Sequence, residues 1–299
     1  FRERVLTRFQ TRMFAFLNIV GMGMVHTDME QNVSDMDVER TAATMREHSD
    51  FIVGSKTAHF KSTEWVSTER ALQAAQQAGM PAMIDFGLFP RERPYYELVT
   101  QRMAPGDIST HMFLGDVPWL DGNGQVLSYL HEARKRGIVF DVGHGGGSFY
   151  WRNAIPAIEQ GFYPDSISTD LHTKNMNEDM MDMVTVMSKF LVMGMPLEEV
   201  IRESTINPAR EIGHDELGHL SVGAVADVAG LKILEGDFGY TDVASGLFRG
   251  TQRITCELTL QDGIVRWDWN GRIGVDYREL DPLYGVRNPD GLIMPPEST

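Results

Sequence analysis

Disulfide scaffolds, membrane spans and nucleic-acid binders are all excluded by what this chain lacks. It has one cysteine, Cys256, so neither a disulfide framework nor a cysteine metal cluster exists. Cys256 sits in the strand-like run ITCELTL and is expected to be a buried structural thiol. No stretch of about 18 apolar residues occurs, which excludes a membrane-spanning helix. Basic residues are few, 27 against 42 acidic, and the net charge of −15 argues against nucleic-acid or membrane partners and for a small-molecule substrate. The lone cysteine makes cytoplasm the default compartment, and no signal peptide is legible in a chain that opens on Phe1 rather than methionine. A dinucleotide G-x-G-x-x-G, a P-loop and the G-x-S-x-G elbow of a serine esterase are all absent.

What the chain does have, in 299 residues, is a repeated alternation. Apolar runs at 12–20, 51–57, 81–87, 107–113, 138–143 and 166–170 read as strands buried on both faces. Helical patterns separate them, at about 37–49 with Ser34 or Asp35 as cap, 68–79, 93–103, 125–136, 150–160, 178–193 and 196–203. Gly79, Gly137 and Gly161 are placed as helix stops, and Pro196 suits a first turn. Parallel strands with helical crossovers follow, in a barrel arc or in a doubly wound sheet. Beyond residue 216 the texture changes to short Gly-punctuated strands, so the chain divides into a barrel-like part, 1–215, and a small β-domain with a tail, 216–299.

The strands end on chemistry-bearing residues: Lys56, Asp85, His111, His144 and Asp170. In a (β/α) barrel such ends meet at one mouth. His111 and Asp170 supply the nitrogen and oxygen that zinc takes, and Asp170 is suited to pass a proton between water and a leaving group. Lys56 has no lone pair as an ammonium and ligates only as the carbamate formed with CO2. Each residue also has a plainer role: a solvated charge for Lys56, a hydrogen-bonded interior ring for His111, a helix cap for Asp170, an ion pair for Asp85. Their joint occurrence at successive strand ends favours a site. After His144, Gly145 to Gly147 form either a simple tight turn or a loop whose amides hold a substrate carbonyl. The methionine-rich run at 175–195 reads as core filling, with a lid over the site as the alternative. Arg91 and Arg93, in a loop at the mouth, are either contacts for a substrate carboxylate or, as is commoner, plain surface arginines.

The runs FAFLNIVGMG, FIVGSKTAHF, MAPGDISTHMF, IVFDVGHGGGSF, DSISTDLHTKNMNEDMMDM and STINPAREI, with the G-x-x-A-D of Gly223, Ala226 and Asp227, resemble the amidohydrolase superfamily. Within it they are most similar to the amidohydrolase/deacetylase metallohydrolases, relatives of dihydroorotases and D-aminoacylases. The resemblance implies an α/β fold, a (β/α)8 TIM barrel represented by its strands 3–8, with a small C-terminal β-sandwich. It implies one or two zinc or similar divalent ions and a CO2-derived lysine carbamate. Lys56, Asp85, His111 and Asp170 would be metal ligands, with Asp170 also the catalytic base. His144, Gly145, Gly146 and His172 would contact substrate. The implied activity is hydrolysis of an amide or ester of a small N-acyl or O-acyl substrate, by a chain free to form a homo-oligomer. Two departures stand out. Asp85 occupies the place of a fifth-strand histidine, and no two of the nine histidines are two residues apart, so the first-strand H-x-H pair has no counterpart. Such a chain is expected to be N-terminally truncated and a poor enzyme by itself, and a catalytically impaired barrel serving as a binding or assembly module is the alternative.

Overall fold

A computed structural model describes residues 1–86 and 92–293. Five short parallel strands, β1 (Ala15–Asn18), β2 (Ile52–Thr57), β3 (Ala82–Asp85), β4 (Ile108–Thr110) and β5 (Val139–Phe140), lie side by side in sequence order. A doubly wound sheet reverses its strand order partway, whereas a barrel never does. The unbroken order therefore gives an arc of barrel type. The sixth expected strand, 166–170, forms no strand of its own. It joins the arc through a parallel bridge between Asp141 and Ser166 and through amides of Val142, His144 and Gly145 donating to Ser166, Ser168 and Thr169. Its Ser166 and Ser168 hydroxyls bond Asp141, and its Ile167 amide donates to the Glu203 carbonyl at 2.7 Å rather than to a neighbouring strand.

The crossovers are α1 (Val38–Glu47), α2 (Val66–Ala78), the short α3 (Tyr95–Glu97) continuing as a wide π turn over Leu98–Arg102, α4 (Ser128–Lys135) and α5 (Trp151–Glu159). The cap of α1 is Asp37, whose carboxylate accepts from the Arg40 amide, rather than Ser34 or Asp35. Gly79, Gly137 and Gly161 do end their helices in left-handed conformation, with φ of 69°, 89° and 73°. Further along come α6 (Met183–Val192), α7 (Leu197–Arg202) with Pro196 at its cap, and α8 (Ile206–Glu211).

One aromatic cluster, Phe113, Trp119, Phe140, Phe149, Phe162 and Phe190, fills the space between the sheet and α4 to α6. Of the methionine-rich run, Met180, Met187, Met193 and Met195 are buried, as core filling requires, while Met176 and Met181 are exposed. The C-terminal strands β6 (Val228–Thr241), β7 (Leu247–Gln261) and β8 (Ile264–Asp268) make a single antiparallel sheet among the described residues. It packs on α6, where Ser188 Oγ accepts from the Ile254 amide. Cys256 on β7 is half-buried, against the expectation of a fully buried thiol. No described helix is long and apolar enough to cross a membrane.

Glu203, next to the start of the 166–170 segment, is 4% exposed and has an oxygen without a hydrogen-bond partner. Burial, reinforced by Asp165 and Glu199, pushes its carboxyl up to about 9. The folded state thus holds a proton that the unfolded state releases near the ordinary carboxylate value, so stability falls as pH rises from about 4.5 towards 9. Glu203→Gln should be more stable than the parent at pH 8 by about 1–3 kcal/mol and equal to it at pH 4. Urea unfolding at the two pH values checks this; a parent stability that does not fall between them would contradict it.

Candidate active site

The mouth is built by an anchor that the sequence does not single out. Asp141, 4% exposed just after β5, accepts from Thr110 Oγ1 at 2.6 Å, Ser166 Oγ at 3.0 Å and Ser168 Oγ at 2.8 Å, tying three neighbouring segments. Ser168 Oγ in turn accepts from the Gly143 amide, and the Gly143 carbonyl accepts from His111 Nδ1 at 2.6 Å. That bond places the Nδ1 proton and leaves Nε2 facing Asp85 Oδ2 at 3.4 Å.

His111 and Asp85 are both buried. Burial pushes the His111 imidazole down, but the charge and hydrogen bonding of Asp85 and the Gly143 carbonyl outweigh it and bring it up to about 9. Burial likewise raises Asp85, and His111, with Lys56, overrides it and holds the carboxyl at about 2. Lys56 approaches the site beside Met83, its Nζ 3.7 Å from the thioether sulfur. Lys56, His111 and Asp170 line one cavity of about 410 Å³, with Phe14 and Phe16 across it.

Asp170 is exposed as a residue, yet its carboxylate abuts Gly145: a methyl group there would stand 2.6 Å from Asp170 Oδ2. This crowding desolvates the carboxyl and raises its pKa. Buried Asn175 holds the Asp170 carbonyl at 2.8 Å and accepts from the His172 amide at 2.8 Å, pinning the loop at 170–175. His172 itself is exposed on the rim.

A second imidazole joins the group. His59 Nδ1 lies 2.9 Å from the buried carboxylate of Glu30, and its Nε2 is 3.8 Å from Asp85 Oδ2. Neither residue ends a strand, and so neither stood out in the sequence. His59, His111 and Asp170 have φ of 51°, 63° and 48°, three of the six non-glycine residues in left-handed backbone among those described. Such strain gathers at sites where side chains must be aimed.

His144 is the correction. It was expected to meet substrate at the mouth, but it is fully buried, stacked on Phe149 with centroids 4.5 Å apart. Both ring nitrogens are engaged internally, Nδ1 with the Gly145 carbonyl and Nε2 with Lys189 Nζ. Gly145 is also buried, its amide donating to Thr169, whereas Gly146 is exposed. Gly145 has φ 53°, so Gly145→Ala combines left-handed strain of about 1–2 kcal/mol with a collision against Asp170. We expect a lower melting temperature and a lower turnover together; an alanine variant equal to the parent in both would show that the turn tolerates a side chain. Arg91 lies outside the described residues, and Arg93 is buried, donating to the Phe60 carbonyl at 2.8 Å rather than facing a ligand.

The donor set fits a divalent ion in part. His111 has its other nitrogen fixed by a carbonyl, the usual arrangement for a metal-binding imidazole, and it faces a carboxylate. Among the described residues no group of three or more His, Cys, Asp or Glu side chains is arranged to hold a metal ion, so His111 and Asp85 would fill two positions and the rest of a shell would fall to Lys56, as a carbamate, and Asp170.

A parallel sheet in barrel order thus carries an imidazole, two carboxylates and a lysine at its strand ends. The amidohydrolase family pattern matches residues 150–253. Deacetylases of Agrobacterium fabrum and Brucella anthropi are each 35% identical over 250 residues, covering 81% of this chain and 61% of theirs. The chain therefore spans about three fifths of the length of these relatives. Crystal structures of an adenine deaminase and a dihydroorotase superpose with TM-scores of 0.83 and 0.77, at 27% and 29% identity. They cover 88% and 90% of this chain, which covers 73% of each. The chain belongs to the amidohydrolase superfamily.

Proposed function

We propose that the chain carries the hydrolytic site of a metal-dependent amidohydrolase acting on the carbon–nitrogen or ester bond of a small N-acyl or O-acyl substrate, with deacetylation as the favoured reaction. The observation that carries this is the meeting of His111, Asp85, Lys56 and Asp170 at one sheet end, in a chain similar to two deacetylases. A zinc or similar ion held by His111 and Asp85, with Asp170 and a Lys56 carbamate, would supply a Lewis acid and a water acidic enough to ionise near neutrality. Asp170, exposed at the cavity with a raised carboxyl pKa, takes the proton of water and returns it to the leaving nitrogen. Asp141 and Asn175 hold His111 and Asp170 in place through the bonds described above. Gly146 and His172, both exposed on the rim, are suited to contact substrate, whereas His144 and Gly145 act from beneath.

A second reading, a barrel that binds without turning over, is favoured by one fact: no three of the described His, Cys, Asp or Glu side chains are arranged to hold a metal ion. Elemental analysis of protein prepared with zinc and bicarbonate, with acetate release measured across N-acetyl amino acids, separates the two. Bound metal and a release that stops with chelator and returns with zinc supports hydrolysis. Absence of both would leave the binding module.

A further inference from the structure

Lys189, on α6, is a lysine with no exposed surface. Its Nζ lies 2.7 Å from His144 Nε2 and 2.7 Å from the Thr241 carbonyl at the end of β6, while the rings of Phe149 and Trp151 stand 5.4 and 5.7 Å away. Two carboxylates face it, Asp179 from the loop before α6 and Asp242 from the end of β6. Asp242 is tied to the amides of Trp151, Ala244 and Gly246, and Asp179 to the Thr241 hydroxyl. Nothing in the hydrolysis proposed above uses this ammonium.

Its position explains the geometry above it. An ammonium has only protons to give, so His144 Nε2 accepts, and the ring proton is placed on Nδ1, which donates to the Gly145 carbonyl at 2.8 Å. The ring is clamped flat on Phe149, with an interplanar angle of 12°. Gly145 is then held from both sides, its carbonyl by His144 and its amide by Thr169 at 2.9 Å, and a methyl group on it would stand 2.6 Å from Asp170 Oδ2. A methionine would fill the same volume without the cost of burying a charge, but it would fix neither the tautomer nor the ring.

We propose that Lys189 is a positioning residue of the hydrolytic site: held between His144 and the Thr241 carbonyl, its ammonium locks the imidazole and, through Gly145, sets the place of the Asp170 carboxylate. This makes the C-terminal sheet part of the support of the mouth. The inference rests on the role given to Asp170 above.

Lys189→Met should lower kcat about 10- to 100-fold with KM within about twofold, as a misplaced group does. Amide hydrogen exchange at Gly145 should quicken about tenfold or more. Because the single variant leaves His144 Nε2 buried without its partner, the double variant Lys189→Met with His144→Phe is measured beside it. It removes the buried Lys189–His144 pair and keeps the ring stack, and although the Gly145 and Thr241 carbonyls lose their donors it should melt above the single variant. If Lys189 positions Asp170, kcat of the double variant stays as low as that of the single one. Recovery of kcat together with the melting temperature would reduce Lys189 to a folding role and overturn the proposal, as would unchanged Gly145 exchange in Lys189→Met. Should the parent protein release acetate from no substrate, the functional reading fails separately, and Gly145 exchange still decides whether Lys189 sets the turn.

Discussion

Asp170→Asn should lower kcat for acyl-amide hydrolysis by about 10²- to 10⁴-fold, the range supplied by a positioned acid–base group, with little change in stability. The expectation of intact folding comes from the local backbone. Asp170 has φ 48°, a conformation that asparagine adopts as readily as aspartate, and its carbonyl bond to Asn175 does not involve the side chain. The amide also occupies nearly the same space against Gly145. What disappears is the proton acceptor. Steady-state kinetics with an N-acetyl substrate, beside a thermal melt, gives the answer. Turnover equal to the parent in a folded variant would remove Asp170 from the chemistry and with it the hydrolytic reading of the mouth.

His111→Ala should act on stability first. The substitution takes away the imidazole facing the buried Asp85 carboxylate at 3.4 Å, and it puts alanine at φ 63°. Loss of one partner of a buried ion pair costs about 3 kcal/mol or more. The loss depends on pH in a direction fixed by the two shifts. Asp85, held at about 2 in the fold, stabilises above the ordinary carboxylate range and loses its contribution as pH falls through about 2. His111, raised to about 9, stabilises fully below about 6.5, and that contribution drains away as pH rises through about 9. In chelator the variant should therefore fall furthest short of the parent between about pH 4 and 6.5 and approach it above pH 9. Denaturant midpoints at pH 5.5 and 9.5 measure this; equal midpoints of parent and variant at pH 5.5 would mean that the pair does not hold the fold.

Both results depend on contacts of different legibility. Lys56, Asp85, His111 and Asp170 were readable because each closes an apolar run, and strand ends in a barrel arc share one mouth. Asp85 and His111 could be named, but not that they face one another, because that follows from β3 and β4 being neighbours with Asp85 in register with Thr110. His59 and Glu30 were not readable at all. They lie 29 residues apart, Glu30 in the single 3-10 turn Met29–Gln31 and His59 in a loop, with no periodicity to mark either, and only the folded chain brings them to 2.9 Å. Asn175 and Asp141 were hidden for a related reason: buried polar residues that serve as struts look in sequence like any loop asparagine or strand aspartate. His144 was misplaced because a histidine beside three glycines at a strand end resembles a ligand-binding loop, and the direction of its ring depends on Lys189, 45 residues further on.

By itself the sequence determined the alternation of strand and helix, the helix stops at Gly79, Gly137 and Gly161, the change of texture toward the antiparallel strands, and the chemistry at the strand ends. These follow from local rules, the period of apolar residues and the few residues able to adopt left-handed backbone. The tertiary structure alone decided that the sheet runs in unbroken barrel order, that 166–170 joins it by side-chain and bridge contacts, and that His144 turns inward to Lys189 while His59 turns toward Asp85. Each of these is a choice of partner between distant segments, set by which buried polar groups can satisfy one another once the chain is packed.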